Sequence, residues 1–140
     1  MSLDSTNRVA IEEDTAFKKL CSRLRGRNKY DRIVTTGRGG LSVAQKLAYL
    51  LDIPVYVTVF SQELRELNPS DLFVDDIVCT GSTIGSIPRF VDIATLVHRK
   101  SALYKPTFTG LVYEGDEYIT FSWEADTDRT KKDIHEQFQG

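Results

Sequence analysis

Apolar residues at Ala16, Phe17, Leu20, Cys21 and Leu24 recur at intervals of three and four, which puts one stripe along a helix, and Gly26 is placed to cap its C-terminus. A short apolar run from Asp31 to Thr36, centred on Ile33 and Val34, predicts a strand, and Gly37-Arg38-Gly39-Gly40 breaks the chain sharply after it. Leu41, Ala44, Leu47, Ala48 and Leu51 form a second helical stripe. Pro54 opens the β-branched run Val55 to Phe60, which predicts another strand. The polar stretch Ser61 to Ser70 separates it from Leu72-Phe73-Val74, a short strand ending in Asp75-Asp76. Thr80 to Thr83 then starts a short helical piece that Pro88 limits. Ile93 to Val97 is a further buried strand, with weaker ones around Leu111 to Tyr113 and Tyr118 to Phe121.

Strands alternating with helices predict an α/β fold, a parallel central sheet flanked by helices. In such sheets ligands bind beyond the carboxyl ends of the strands. Both glycine-bearing segments, 37–40 and 80–83, follow strands, so the topology points them at one cleft.

Composition narrows the classes. A chain of 140 residues, 41% hydrophobic and 27% charged, suits one domain with its own core. A net charge of −2 gives no basic surplus for a nucleic-acid partner. Cys21 and Cys79 cannot build a disulfide framework, and with only His98 and His135 as further soft ligands no zinc spacing exists. No run of 18 apolar residues predicts a membrane span. Met1 to Leu3 reads as an expression remnant, no signal peptide follows, and the expected location is cytoplasmic. The polar tail 127–140 reads as a solvated terminal helix or a frayed end.

The strongest chemical signal runs from Leu72 to Thr83, Leu-Phe-Val-Asp-Asp-Ile-Val-Cys-Thr-Gly-Ser-Thr. Two adjacent carboxylates end a buried strand. Thr80, Gly81, Ser82 and Thr83 then stand at a helix start, where unpaired amides and the helix dipole favour an anion. Gly81 permits close approach to a phosphate. The carboxylates can accept from sugar hydroxyls or hold a hydrated magnesium ion. The bland alternative is an acidic turn before an N-capped helix.

Val-Asp-Asp-x-x-x-Thr-Gly-x-Thr after an apolar strand resembles the ribose-phosphate signature of type I phosphoribosyltransferases. The resemblance implies that Asp75 and Asp76 face ribose hydroxyls and that Thr80 to Thr83 wrap the 5-phosphate of phosphoribosyl pyrophosphate. Thr36-Gly37-Arg38-Gly39-Gly40 is weak by itself, since Ser42 stands where a dinucleotide fingerprint needs its third glycine. The family has a similar loop for pyrophosphate, which assigns that group to Arg38 and Gly39.

The resemblance covers roughly residues 8 to 126 and is closest to the bacterial xanthine-guanine type. It implies that Lys100, after Leu96-Val97-His98-Arg99, donates to the exocyclic oxygen of a 6-oxopurine. It implies that Tyr118 stacks on the purine, with Ile119 beside it, and that Glu124 sits near magnesium. The ordinary alternatives are a strand-end lysine and plain hydrophobic packing.

Two positions depart from the family. Cys79 stands where 6-oxopurine enzymes carry an aspartate that exchanges a proton with N7, and a thiol of ordinary pKa near 8.5 is a poorer partner. Only Ser61 to Ser70 is available for the loop that closes over pyrophosphate. The expected activity is Mg-dependent transfer of a 5-phosphoribosyl group to a nucleobase, in a homodimer or higher homo-oligomer, with a small hood carrying Lys100 and Tyr118. The rival is a regulatory protein that binds the same ligand without catalysis.

Overall fold

The computed structural model describes residues 8–27, 30–78 and 84–124. Two compact units make up the chain: residues 14–115, and the terminal segments 1–13 and 116–140.

In the larger unit, α1 (Glu13–Leu24) and α2 (Gly37–Leu50) flank strands β2 (Arg32–Thr35), β3 (Tyr56–Thr58), β4 (Asp71–Val78), β5 (Asp92–Arg99) and β6 (Phe108–Tyr113). The strand order is β3-β2-β4-β5-β6 and every pairing is parallel. The expected parallel α/β sheet is therefore present.

The predicted stripe of α1 is the buried one, Ala16, Phe17, Leu20, Cys21 and Leu24. Gly26 follows it at φ +78°, the left-handed conformation of a helix stop. On α2 the buried face is Gly40, Val43, Ala44, Leu47 and Ala48. This helix packs on β2, β3 and β4, where Ile33, Leu72 and Val74 are fully buried. A second cluster joins Val34, Phe73 and Ile93 to Leu64, Leu67, Ile84 and Ile87. Both layers read as near-continuous apolar strands because a parallel sheet is covered twice.

Several boundaries differ from the sequence reading. The strand expected over 55–60 is only Tyr56–Thr58, an edge with one neighbour. The strand expected to end in Asp75-Asp76 runs on to Val78, so both carboxylates lie within β4. Segment 37–40 is not a free loop but the first turn of α2. Ser61–Glu66 forms a 3-10 turn in which the Phe60 N–H donates to Glu63 Oε1 (3.1 Å) and the Glu63 N–H to the Phe60 carbonyl (2.9 Å). Leu64 and Leu67 pin it to the core. Between β5 and β6 the chain returns through 100–107 without a helix.

At the amino ends of the strands, the Arg32 Nε–H donates to Asp71 Oδ1 at 2.7 Å, and the Asn68 N–H donates to Asp71 Oδ2 at 3.0 Å. Burial opposes the charge of Asp71, yet these bonds and the Arg32 charge hold its carboxyl below the usual range.

The smaller unit contains β1 (Arg8–Ala10), which the sequence reading lacked, paired in parallel with β7 (Tyr118–Thr120). Glu13 accepts from the Ser122 N–H (2.7 Å) and Oγ–H (2.8 Å). Phe121 and Trp123 stack with centroids 4.7 Å apart. Among the described residues no helix is long and apolar enough to cross a membrane.

Candidate active site

β4 carries its two carboxylates to the carboxyl half of the sheet, and α2 starts directly opposite them. A Cβ placed on Gly39 would collide with Asp76 Oδ2 and stand 2.8 Å from Asp76 Cγ. One placed on Gly40 would collide with Thr35 Oγ1 and lie 3.2 Å from Asp75 Oδ1. The double glycine is therefore the means by which the first turn of α2 and the acidic pair share one space. Thr36 supplies no side-chain cap and no acidic residue stands in that turn. Its amides are left for an anion. Arg38 is exposed at the same turn and makes no ion pair among the described residues.

The carboxylates are partly spoken for by backbone. The Asp76 N–H donates to Asp75 Oδ1, and the Ile77 N–H to Asp76 Oδ1, both at 2.8 Å. No described cation neutralises the pair. Burial, a shared hydrogen bond with the Asp76 carboxyl and the Asp76 charge push Asp75 up to about 8. Two half-buried carboxylates that repel one another suit a hard divalent cation, which takes one or two carboxylates and completes its shell with water and phosphate. Among the described residues no cluster of three or more potential metal ligands occurs.

The remaining predicted residues fall in three groups. Cys79, Thr80, Gly81, Ser82 and Thr83, the heart of the phosphate signature, lie outside the described residues, as does the tail 127–140. Lys100 follows the last residue of β5, in the larger unit. Its Nζ donates to Glu114 Oε1 at 2.7 Å, an exposed ion pair. Tyr118, Ile119 and Glu124 belong to the smaller unit. There the Tyr118 hydroxyl donates to Glu124 Oε2 at 3.2 Å, the Arg8 guanidinium lies 5.5 Å from the Tyr118 ring centroid, and Ile119 is buried.

The structure thus brings Gly39 together with Asp75 and Asp76. It adds Thr35 and Gly40, which the sequence reading left without a role. The signal for Gly40 was present in the doubled glycine. None pointed to Thr35. Apart from this site, near the carboxyl end of β5, His98 is buried, and its Nε2 has no hydrogen-bond partner among the described residues. Burial and the Lys105 charge lower its pKa against a hydrogen bond to the Tyr104 backbone.

No family model and no curated protein matches the chain. Solved structures do. A purine phosphoribosyltransferase from Pyrococcus horikoshii is 25% identical with a TM-score of 0.63, over 84% of this chain and 94% of that one. A xanthine-guanine-hypoxanthine phosphoribosyltransferase from Helicobacter pylori gives 19% and 0.66, over 90% and 97%. A protein from Neisseria gonorrhoeae, solved with ppGpp bound, gives 21% and 0.64, over 90% and 94%. The chain has the type I phosphoribosyltransferase fold.

Proposed function

We propose that this chain transfers a 5-phosphoribosyl group from phosphoribosyl pyrophosphate to a purine, one of the 6-oxopurines, and releases pyrophosphate. The observation that carries this reading is the packing of Gly39 and Gly40 on Asp75 and Asp76. It joins an uncapped helix start, fit for a pyrophosphate, to paired carboxylates, fit for ribose hydroxyls. The purine phosphoribosyltransferase from P. horikoshii supports the class of reaction.

In this reading the first-turn amides of α2 and Arg38 hold the pyrophosphate, a task suited to an always-charged, multidentate guanidinium. Asp75 and Asp76 orient the ribose and would hold magnesium, which when bound would neutralise charge on the departing pyrophosphate. Thr80, Gly81, Ser82 and Thr83 take the 5-phosphate. Tyr118 and Ile119 flank the base and Lys100 addresses its 6-oxo group, for which it must leave Glu114. The bond from the anomeric carbon to pyrophosphate breaks as the bond to a purine nitrogen forms, and the proton on N7 of the base leaves. Cys79 is the side chain placed by sequence to take it. The protein contributes positioning and electrostatic complementarity rather than a nucleophile. A homo-oligomer in the cytoplasm completes the reading.

The test is turnover with guanine, xanthine, hypoxanthine and adenine in the presence of phosphoribosyl pyrophosphate and magnesium. Pyrophosphate release with the three 6-oxopurines, and little with adenine, is expected; no release with any base would contradict it. A second reading, a nucleotide-binding regulator, is favoured by the ppGpp bound to the N. gonorrhoeae protein and by the pinned turn Ser61–Glu66, which stands where the family's long closing loop would be. Tight ligand binding without turnover selects it.

A further inference from the structure

A second concavity lies along α1 and the far half of α2. Because α2 leaves the carboxyl ends of the strands and runs back, Lys46 and Leu50 lie toward the amino ends of the sheet. Opposite them stand Asp14, Phe17, Lys18 and Cys21 on α1, spaced by three and four and so sharing one face, and Arg25 just past its end. The groove between these helices encloses about 270 Å³.

Its floor is apolar and its rim is cationic. Phe17 and Cys21 are buried. The Lys46 Nζ lies 4.4 Å from the Phe17 ring centroid and 3.5 Å from Asp14 Oδ1. Among the described residues Asp14 is the one acid lining the groove against Lys18, Arg25 and Lys46, in a chain whose net charge is −2. Lys18 and Arg25 make no ion pair among the described residues. The charges of Arg25 and Lys46 both reach the Cys21 thiol and lower its pKa against the larger effect of burial, which raises it. A neighbouring concavity of about 640 Å³ shares Arg25 and Leu50 but carries Asp31 and Asp52, which repel an anion.

We propose that the α1–α2 groove binds a small amphipathic anion, its apolar body on Phe17, Cys21 and Leu50 and its phosphate or carboxylate head among Lys18, Arg25 and Lys46. Inorganic phosphate would leave the floor uncovered, and a neutral lipid would leave the cations unpaired. The head group competes with Asp14 for Lys46, so binding opens that one surface ion pair, a small cost. This site is independent of the reading given to the acidic pair.

Calorimetry of the full chain with octyl phosphate below its micelle concentration, with inorganic phosphate and with octanol tests it. Octyl phosphate should bind one to one, at least about tenfold tighter than either control, since both methylene burial and charge contribute. Arg25→Glu with Lys46→Glu should weaken it by about tenfold or more. Lys19→Glu, on α1 but outside the groove, should leave it unchanged. N-ethylmaleimide should alkylate Cys21 more slowly in octyl phosphate but not in inorganic phosphate, read by mass spectrometry of the Cys21 peptide. If the double variant melts early, Lys18→Glu carries the same comparison. Absence of binding, equal affinity for inorganic phosphate, or an affinity indifferent to the groove charges would overturn the proposal. Octyl phosphate held only at the carboxyl ends of the strands would give that last result.

Discussion

Strand β4 carries aspartates at its amino end and in its second half, and they live under opposite rules. Asp71, at the amino end, is buried against Arg32, and its carboxyl is held below the usual range. Asp75, four residues on, is pushed up to about 8 by burial and by Asp76, with no described cation beside it. The same residue type on the same strand is a structural tie in one place and an unsatisfied site in the other. An internal partner is what separates them. Groups perturbed in this way mark candidate sites.

Replacing the two sets of aspartates should therefore have opposite consequences. Asp75→Asn with Asp76→Asn should lower turnover by at least about 100-fold, as loss of groups that orient the reacting centre does, while the free protein melts no lower at pH 8. Steady-state kinetics and a thermal scan on one sample check both halves. A melting loss as large as the activity loss would dissolve the contrast.

Gly39→Ala should come next. Its Cβ would strike the Asp76 carboxyl, so ligand binding should fall by about tenfold or more because one side chain must move out of its place. Gly37→Ala, where no atom lies within 4 Å of the added Cβ, strains only the backbone at φ +76° and should lower stability more than affinity. Isothermal titration against both variants separates the two effects.

Asp71→Asn should leave catalysis near wild type but cost about 1–2 kcal/mol, less than for a fully buried pair because the Arg32 side chain is 37% exposed. Chemical denaturation measures it. For comparison, Glu114→Gln at the exposed Lys100 pair should change stability by less than about 0.5 kcal/mol.

Acid and base separate the two regions of β4 again. The Asp71 carboxyl is depressed, so its stabilising contribution is full above the unfolded pKa, near 3.9, and is lost as pH falls through the folded value. The Asp75 carboxyl is raised, so its contribution is full below about 4 and is lost as pH rises toward about 8. Free wild-type protein should thus lose stability between pH 5 and pH 8, and the Asp75→Asn Asp76→Asn variant should lose less. Denaturation midpoints across that range check the slope.

Much of this arrangement was legible beforehand. The α1 stripe is periodic because one face meets the sheet, so its five apolar residues named themselves. β4 was legible as a strand but not to its end. Asp75 and Asp76 look like a stop because carboxylates are rarely half-buried in a strand, and only the missing Cβ atoms of Gly39 and Gly40 make room for them there. Strand β1 was invisible: three residues, Arg8-Val9-Ala10, carry no period, and its pairing with β7 joins residues more than a hundred positions apart. The resemblance assigns Lys100 and Tyr118 to one hood; Lys100 lies in the larger compact unit and Tyr118 in the smaller. Strand-end lysines carry no local signal of which unit they serve.

The central claim is that the acidic pair facing the start of α2 holds phosphoribosyl pyrophosphate. Titration calorimetry of the ligand with magnesium at pH 7, run in two buffers of different ionisation enthalpy, tests it directly. The account predicts saturable, magnesium-dependent binding that releases a proton, because Asp75 must ionise to take the ligand and its ion, and loss of both binding and release in Asp75→Asn Asp76→Asn. Binding of equal strength in that variant, or binding with no proton released, would contradict it.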